Sequence, residues 1–129
     1  MLAIDTNVIV RYLTGDHPEQ SPKARALIDA ENVFVCTTVL LETEWVLRSV
    51  YGFTPAKVAE TLLAFAGLPT VALDDPALIA KALDWTVRGM DFADALLLAK
   101  AEGCDALATF DRRFAKIANE VSDIEVRTL

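Results

Sequence analysis

The segment Met90–Gly103, MDFADALLLAKAEG, puts two carboxylates, Asp91 and Asp94, at the mouth of an apolar run. Residues three apart share one side of a helix, so both acids would stand beside a buried face. Asp91 suits an N-cap, and Asp94 could complete a variant capping box. Three further acids are placed in a similar way. Asp5 closes Leu-Ala-Ile, Asp111 closes Ala-Leu-Ala-Thr-Phe, and Glu42 follows Leu40-Leu41 early in a helical pattern. Each has an ordinary explanation by itself: a cap for Asp5 and Asp111, a dipole-favoured first-turn acid for Glu42. Capping, however, does not require so many apolar-flanked acids from four separate segments. Gathered together, such carboxylates repel one another unless protons or a cation intervene. Oxygen ligands without His or Cys suit Mg²⁺ or Mn²⁺. One aspartate of the Asp91/Asp94 pair would then cap the helix while the other faces the metal.

The elements that must position these acids follow from the pattern of short apolar runs alternating with helical stretches. That alternation is the mark of βαβ units and a mainly parallel sheet. Strands are expected at Leu2–Asp5, Val33–Thr37, Thr70–Leu73, Ala106–Phe110 and Ile124–Arg127. Helices are expected from near Val8, from Ser21-Pro22 to about Ala30, over Val39–Val50, from Thr54-Pro55, and over Ala77–Val87 after Asp75-Pro76. Proline at a first helical position gives up an N–H that has no partner there anyway. Gly67 and Gly103 stand where helices should stop. Right-handed crossovers then give a three-layer α/β/α sandwich with a roughly five-stranded sheet. Ligands of such sheets bind at the carboxyl ends of strands, near the reversal of strand order, which is where the acids fall.

Composition narrows the function classes. A chain of 129 residues fits one domain spanning 1–129, and 53% apolar residues suffice for a packed core. No apolar run exceeds five residues, so neither a membrane span nor a secretory signal is expected. Cys36 and Cys104 are too few for a disulfide scaffold and suit a reducing cytoplasm; both read as small buried hydrophobes. A net charge of −7 argues against a protein that coats nucleic acid through a basic surface. It leaves room for a few acids concentrated in one cation-filled pocket.

Four segments together resemble a PIN-domain nuclease, and among these the VapC-type toxins of bacterial toxin–antitoxin pairs. They are Ile4-Asp5-Thr6-Asn7, Leu40-Leu41-Glu42, Asp91-Phe92-Ala93-Asp94-Ala95-Leu96, and Thr109-Phe110-Asp111-Arg112-Arg113-Phe114. The resemblance covers nearly the whole chain, and it is the order and spacing of the pieces that make it specific. By this resemblance the catalytic acids are Asp5, Glu42, Asp94 and Asp111, with Asn7 and Thr109 as polar helpers. The family motif is anchored on the acid directly before Ala-Leu, which ranks Asp94 above Asp91 as a metal ligand. The implied activity is Mg²⁺-dependent cleavage of RNA, with Mn²⁺ as a plausible substitute. The implied partners are a VapB-like antitoxin and a second copy of the chain. Asp5 and Asp94 would ligate the ion, Glu42 and Asp111 would orient water or support the ligands, and Asn7 and Thr109 would position carboxylates.

Other residues carry weaker signals. Arg112 and Arg113 suit a phosphate contact or a solvated turn; Lys116 suits only the latter, and Arg11 and Arg48 are lesser candidates. His17 reads as a surface turn, and Trp45 and Trp85 as core or interface anchors. Helices bearing Val8, Ile9, Tyr12 and Leu13, and Trp45, Val46 and Val50, suit ordinary core packing, or an apolar groove for the antitoxin. Two rival functions stand beside this one: a PIN nuclease with the same pocket chemistry but a housekeeping role in RNA processing or a DNA substrate, and a non-catalytic, receiver-like Mg²⁺-binding module using Asp74 or Asp75. The second is weakened because Thr6-Asn7 follows Asp5 where paired acids are needed, and no lysine follows Lys116. Asn7 likewise disfavours an Asp-x-Asp phosphatase.

Overall fold

Asp5, Asp91 and Asp111 each turn the chain from one element into the next, and all three do so with the same bond. In the computed structural model, which describes Met1–Leu129, each carboxylate accepts a backbone N–H three residues on: Val8 at 3.2 Å, Asp94 at 3.3 Å and Phe114 at 2.9 Å. These are N-caps, which satisfy a donor that the first helical turn leaves unpaired. Five strands and seven helices result, and the chain divides into two compact units, Met1–Pro76 and Ala77–Leu129.

The first unit runs β1 (Leu2–Ala3), α1 (Thr6–Thr14), α2 (Gln20–Ala30), β2 (Val33–Val35), α3 (Thr37–Ser49), α4 (Pro55–Ala66) and β3 (Val71–Leu73). Its three strands pair in parallel in the order β1-β2-β3, with Leu2 opposite Val33 and Val33 opposite Val71. Parallel neighbours need long crossovers, and two helices fill each one. Val33 and Val35 are fully buried, as are Ile9, Leu40, Leu47, Val58 and Leu62 from the helices. Tyr12 meets Phe65 edge-to-face at 5.9 Å. Gly15 ends α1 in the left-handed conformation, φ 64°, where a Cβ would be strained. Thr54 caps α4 by accepting the Lys57 N–H, with Pro55 at the first position.

The second unit runs α5 (Pro76–Val87, its first residue lying in the first unit), α6 (Phe92–Lys100), β4 (Leu107–Thr109), α7 (Arg112–Val121) and β5 (Val126–Thr128). β4 and β5 pair in parallel across α7, with Leu107 opposite Val126 and Thr109 opposite Thr128. Leu83, Ala95, Leu98 and Ala118 are fully buried. The expected α/β class with parallel pairing holds. The five strands occupy two short ladders, three in one unit and two in the other.

Several local expectations change for physical reasons. β1 and β2 are shorter because Asp5 caps α1 and Thr37 begins α3 instead of ending the strands, and Phe110 lies in the bend between β4 and the Asp111 cap. α2 begins at Gln20, ahead of Ser21-Pro22. His17 supplies the cap there, its Nδ1 accepting the N–H groups of Glu19 and Gln20 at 3.2 and 3.0 Å. α3 begins at Thr37, so Glu42 falls in its second turn and the first-turn dipole role does not apply. Gly103 takes φ 94° in the turn after α6 rather than at its cap, which is Ala101. The cysteines are not buried: Cys36 is half-buried and Cys104 exposed, both as free thiols. Trp85 is buried, whereas Trp45 is 54% exposed. No helix is long and apolar enough to cross a membrane.

Candidate active site

The second unit brings three acids into electrostatic contact. Asp94 follows the α6 cap by three residues and is half-buried. Burial first, then the charges of Asp91 and Asp111, push its carboxyl above the usual carboxylate range. No hydrogen bond to Asp94 offsets these effects, whereas the carboxylates of Asp91 and Asp111 each accept a helix N–H. Thr109 fixes the approach to Asp111, its hydroxyl accepting the Asp111 N–H at 3.0 Å. A half-buried acid pressed by two like charges favours either a proton or a bound cation. The donors are all carboxylate oxygens, a chemistry that fits Mg²⁺ or Mn²⁺. Neither unit by itself gathers three metal-ligating side chains into one cluster. Mg²⁺ typically takes only one or two protein carboxylates and keeps several waters, so this does not conflict with that chemistry.

The first unit holds Asp5 and Asn7 at the start of α1, both exposed. They line a cleft of about 370 Å³ between α1 and α2. Glu42 is exposed on α3. The start of α3 is fixed from a distance: the Asp74 carboxylate, just past β3, accepts the Thr37 N–H at 3.0 Å and the Thr37 hydroxyl at 2.6 Å. Cys36 stands at the cap position but makes no side-chain capping bond, and Asp74 does this work for it. Burial raises the Asp74 pKa, but the bonds from Thr37 and from the backbone of Asp75 and Asp74 outweigh it and hold the pKa below normal. A carboxylate so engaged is a poor phosphoacceptor, which removes the main support for a receiver-like module.

The arginines divide into committed and uncommitted charges. Arg11 bonds Asp16 at 3.2 Å and Gln20 at 2.9 Å. Arg48 bonds Glu44, a buried acid, at 3.0 Å. Arg112 and Arg113 are exposed in the first turn of α7, beside Asp111. His17 is occupied as a helix cap and is not placed as a general base. Of the helical apolar groups, Ile9 is fully buried while Trp45 and Val50 remain exposed.

Three features escape a reading of local motifs. Lys23 and Gln20 line the cleft that contains Asp5. The only sequence signal for them is helical spacing, with Gln20, Lys23 and Leu27 on one face of α2 and Asn7 and Arg11 on one face of α1. Phe110, between Thr109 and Asp111, is 80% exposed, although its place at the end of an apolar run suggested a strand residue.

No curated protein matches the chain. The family model described as the PIN domain matches residues 2–120, spanning every candidate acid, and the chain therefore belongs to the PIN-domain family.

Proposed function

We propose that this protein is a Mg²⁺-dependent endoribonuclease that acts as the toxin of a VapBC-type toxin–antitoxin pair. PIN domains are generally nucleases acting on RNA or DNA with divalent metals. The observation that carries the proposal is Asp94: a carboxylate whose pKa is raised by burial first and then by the charges of Asp91 and Asp111, with no donor to offset them. In this proposal residues 1–129 act as a single nuclease domain, and the span of the family match supports that.

Asp5 and Asp94 are assigned as the carboxylates that hold the ion, with Asp91 as an additional acid beside Asp94. When bound, a hard dication supplies positive charge to face the phosphoryl oxygens and acidifies a water. Glu42 and Asp111 orient that water or support the ligands. Asn7 positions a carboxylate, and Thr109 holds the turn that presents Asp111. Arg112 and Arg113 contact substrate phosphates. The protein acts in the cytoplasm as a homodimer restrained by a VapB-like antitoxin. The exposed Trp45 and Val50 offer apolar surface that a partner would cover.

The test is cleavage of total cellular RNA by the purified chain, freed of any partner, with Mg²⁺ or Mn²⁺ and then with EDTA. Asp5→Asn should abolish cleavage and leave the fold intact, because asparagine caps a helix as well as aspartate does. Full activity in that variant overturns the assignment. The toxin role is tested separately, by growth arrest on induction and its relief by a short upstream reading frame.

A further inference from the structure

The cleft between α1 and α2 sets a few polar side chains on a largely apolar lining. Asp5 and Asn7, at the start of α1, and Lys23, on α2, all contribute to that lining. Lys23 is exposed and no acid pairs with it. This contrasts with Arg11, whose guanidinium is neutralised by Asp16. An exposed ammonium that no carboxylate neutralises, lining the same cleft as an acid with a proposed catalytic role, is free to meet an anionic group.

Hydrogen bonds fix part of the lining. Arg11 Nε donates to Gln20 Oε1 at 2.9 Å, and Arg11 is itself braced by Asp16 and Tyr51. The Gln20 carbonyl is thereby occupied, and its NH₂ remains to donate to an acceptor. Val8 and Leu27 give the cleft an apolar strip. A volume of about 370 Å³ sits at the small end of the roughly 300–1,000 Å³ range of small-ligand sites, suited to a group the size of a nucleotide rather than to a packed peptide helix.

We propose that this cleft is a nucleotide subsite for single-stranded RNA, adjoining the phosphodiester served by Asp5. Lys23 contacts the phosphate, Val8 and Leu27 pack against the sugar or base, and the Gln20 NH₂ reads an acceptor on the base edge. Amide side chains read base edges in this manner in RNA recognition. The inference rests on the nuclease reading and deepens it by assigning a residue that selects the base next to the cut.

The test uses the full chain and a short fluorescent single-stranded RNA of mixed sequence, with binding measured by anisotropy in EDTA across a salt series. One phosphate contact contributes about 0.7 to the slope of log K against log salt for single strands. Lys23→Ala should therefore lower the slope by about 0.7, and Lys23→Glu should weaken binding further. In Mg²⁺, Lys23→Ala should raise KM more than it lowers kcat, and Gln20→Ala should broaden the base preference beside the cut. Native cleavage together with an unchanged salt slope in Lys23→Ala overturns the subsite alone. No cleavage by the native chain overturns the nuclease reading and the subsite with it. Tighter Lys23-dependent binding of a polyglutamate peptide than of RNA overturns the subsite in favour of a protein partner.

Discussion

The Asp91 carboxylate accepts the backbone N–H of Asp94 at 3.3 Å, so two acids on one helical turn have different physical positions. Asp91 closes the helix end. Asp94 is half-buried and lies under the repulsion of Asp91 and Asp111.

Opposite effects on stability follow from that division. Because the Asp94 pKa is raised, the folded chain carries its charge at a cost at neutral pH. Asp94→Asn should therefore leave the metal-free chain as stable as the native one or more so, while Asp91→Ala, which removes a cap, should cost about 1 kcal/mol. Urea denaturation in EDTA measures both. Adding Mg²⁺ should raise the stability of the native chain by ligand linkage and leave Asp94→Asn unmoved. A destabilised Asp94→Asn in EDTA would show that its carboxylate serves the fold.

Arg112 and Arg113 invite a similar comparison. They are the first two residues of α7, where the helix dipole disfavours cations by roughly 0.3–1 kcal/mol each. Replacing either with Glu should leave the melting temperature equal or higher. If these residues contact phosphate, the same changes should weaken RNA binding and lower its salt slope by about 0.7 per contact. Loss of binding together with loss of stability would point to misfolding instead.

What could be read in advance divides along the range of the interactions. The caps at Asp5, Asp91, Asp111 and Thr54 lie three residues from the N–H groups they accept, so local spacing revealed them. The strand cores were legible from apolar runs, but the ends of the first two were not, because Asp5 caps the next helix and Thr37 starts it. The bond from Asp74 to Thr37 spans thirty-seven positions, and nothing local announces it. Lys23 and Asp5 share a cleft only because α1 and α2 fold against each other. The acids of the candidate site were visible as motifs; their neighbours across a helix hairpin were not. Glu42 also shifted, since Asp74 lets α3 begin earlier than its apolar pattern indicates.

Glu44 and Arg48 carry a stability prediction independent of function. Glu44 is 3% exposed and receives Arg48 through both Nε and a terminal nitrogen, at 3.0 and 3.4 Å. Removing the arginine strands a buried carboxylate. Allowing for the partial exposure of Arg48, Arg48→Ala should cost about 1–3 kcal/mol. The pair itself need not be stabilising relative to apolar residues. Glu44→Leu combined with Arg48→Met should therefore stay within about 1 kcal/mol of the native chain, and urea denaturation of the three proteins checks this.

Asp16 predicts how the first unit responds to acid. The Tyr51 hydroxyl at 2.6 Å, then the Thr14 hydroxyl at 2.7 Å, lower its pKa from 3.8 to about 2, with Arg11 contributing further. A depressed carboxylate stabilises the fold while it is ionised. The contribution is thus fully present above the ordinary 3.8 and disappears as pH falls to about 2. Tyr51→Phe removes the largest cause, so its stability deficit against the native chain should be constant from neutral pH down to about 4 and shrink between there and about 2. Melts at several pH values measure that difference. A deficit that stays flat across the acid range would mean that Tyr51 acts by packing and not by holding the charge. A deficit that grows on acidification would reverse the sign of the linkage and refute the role given to Asp16.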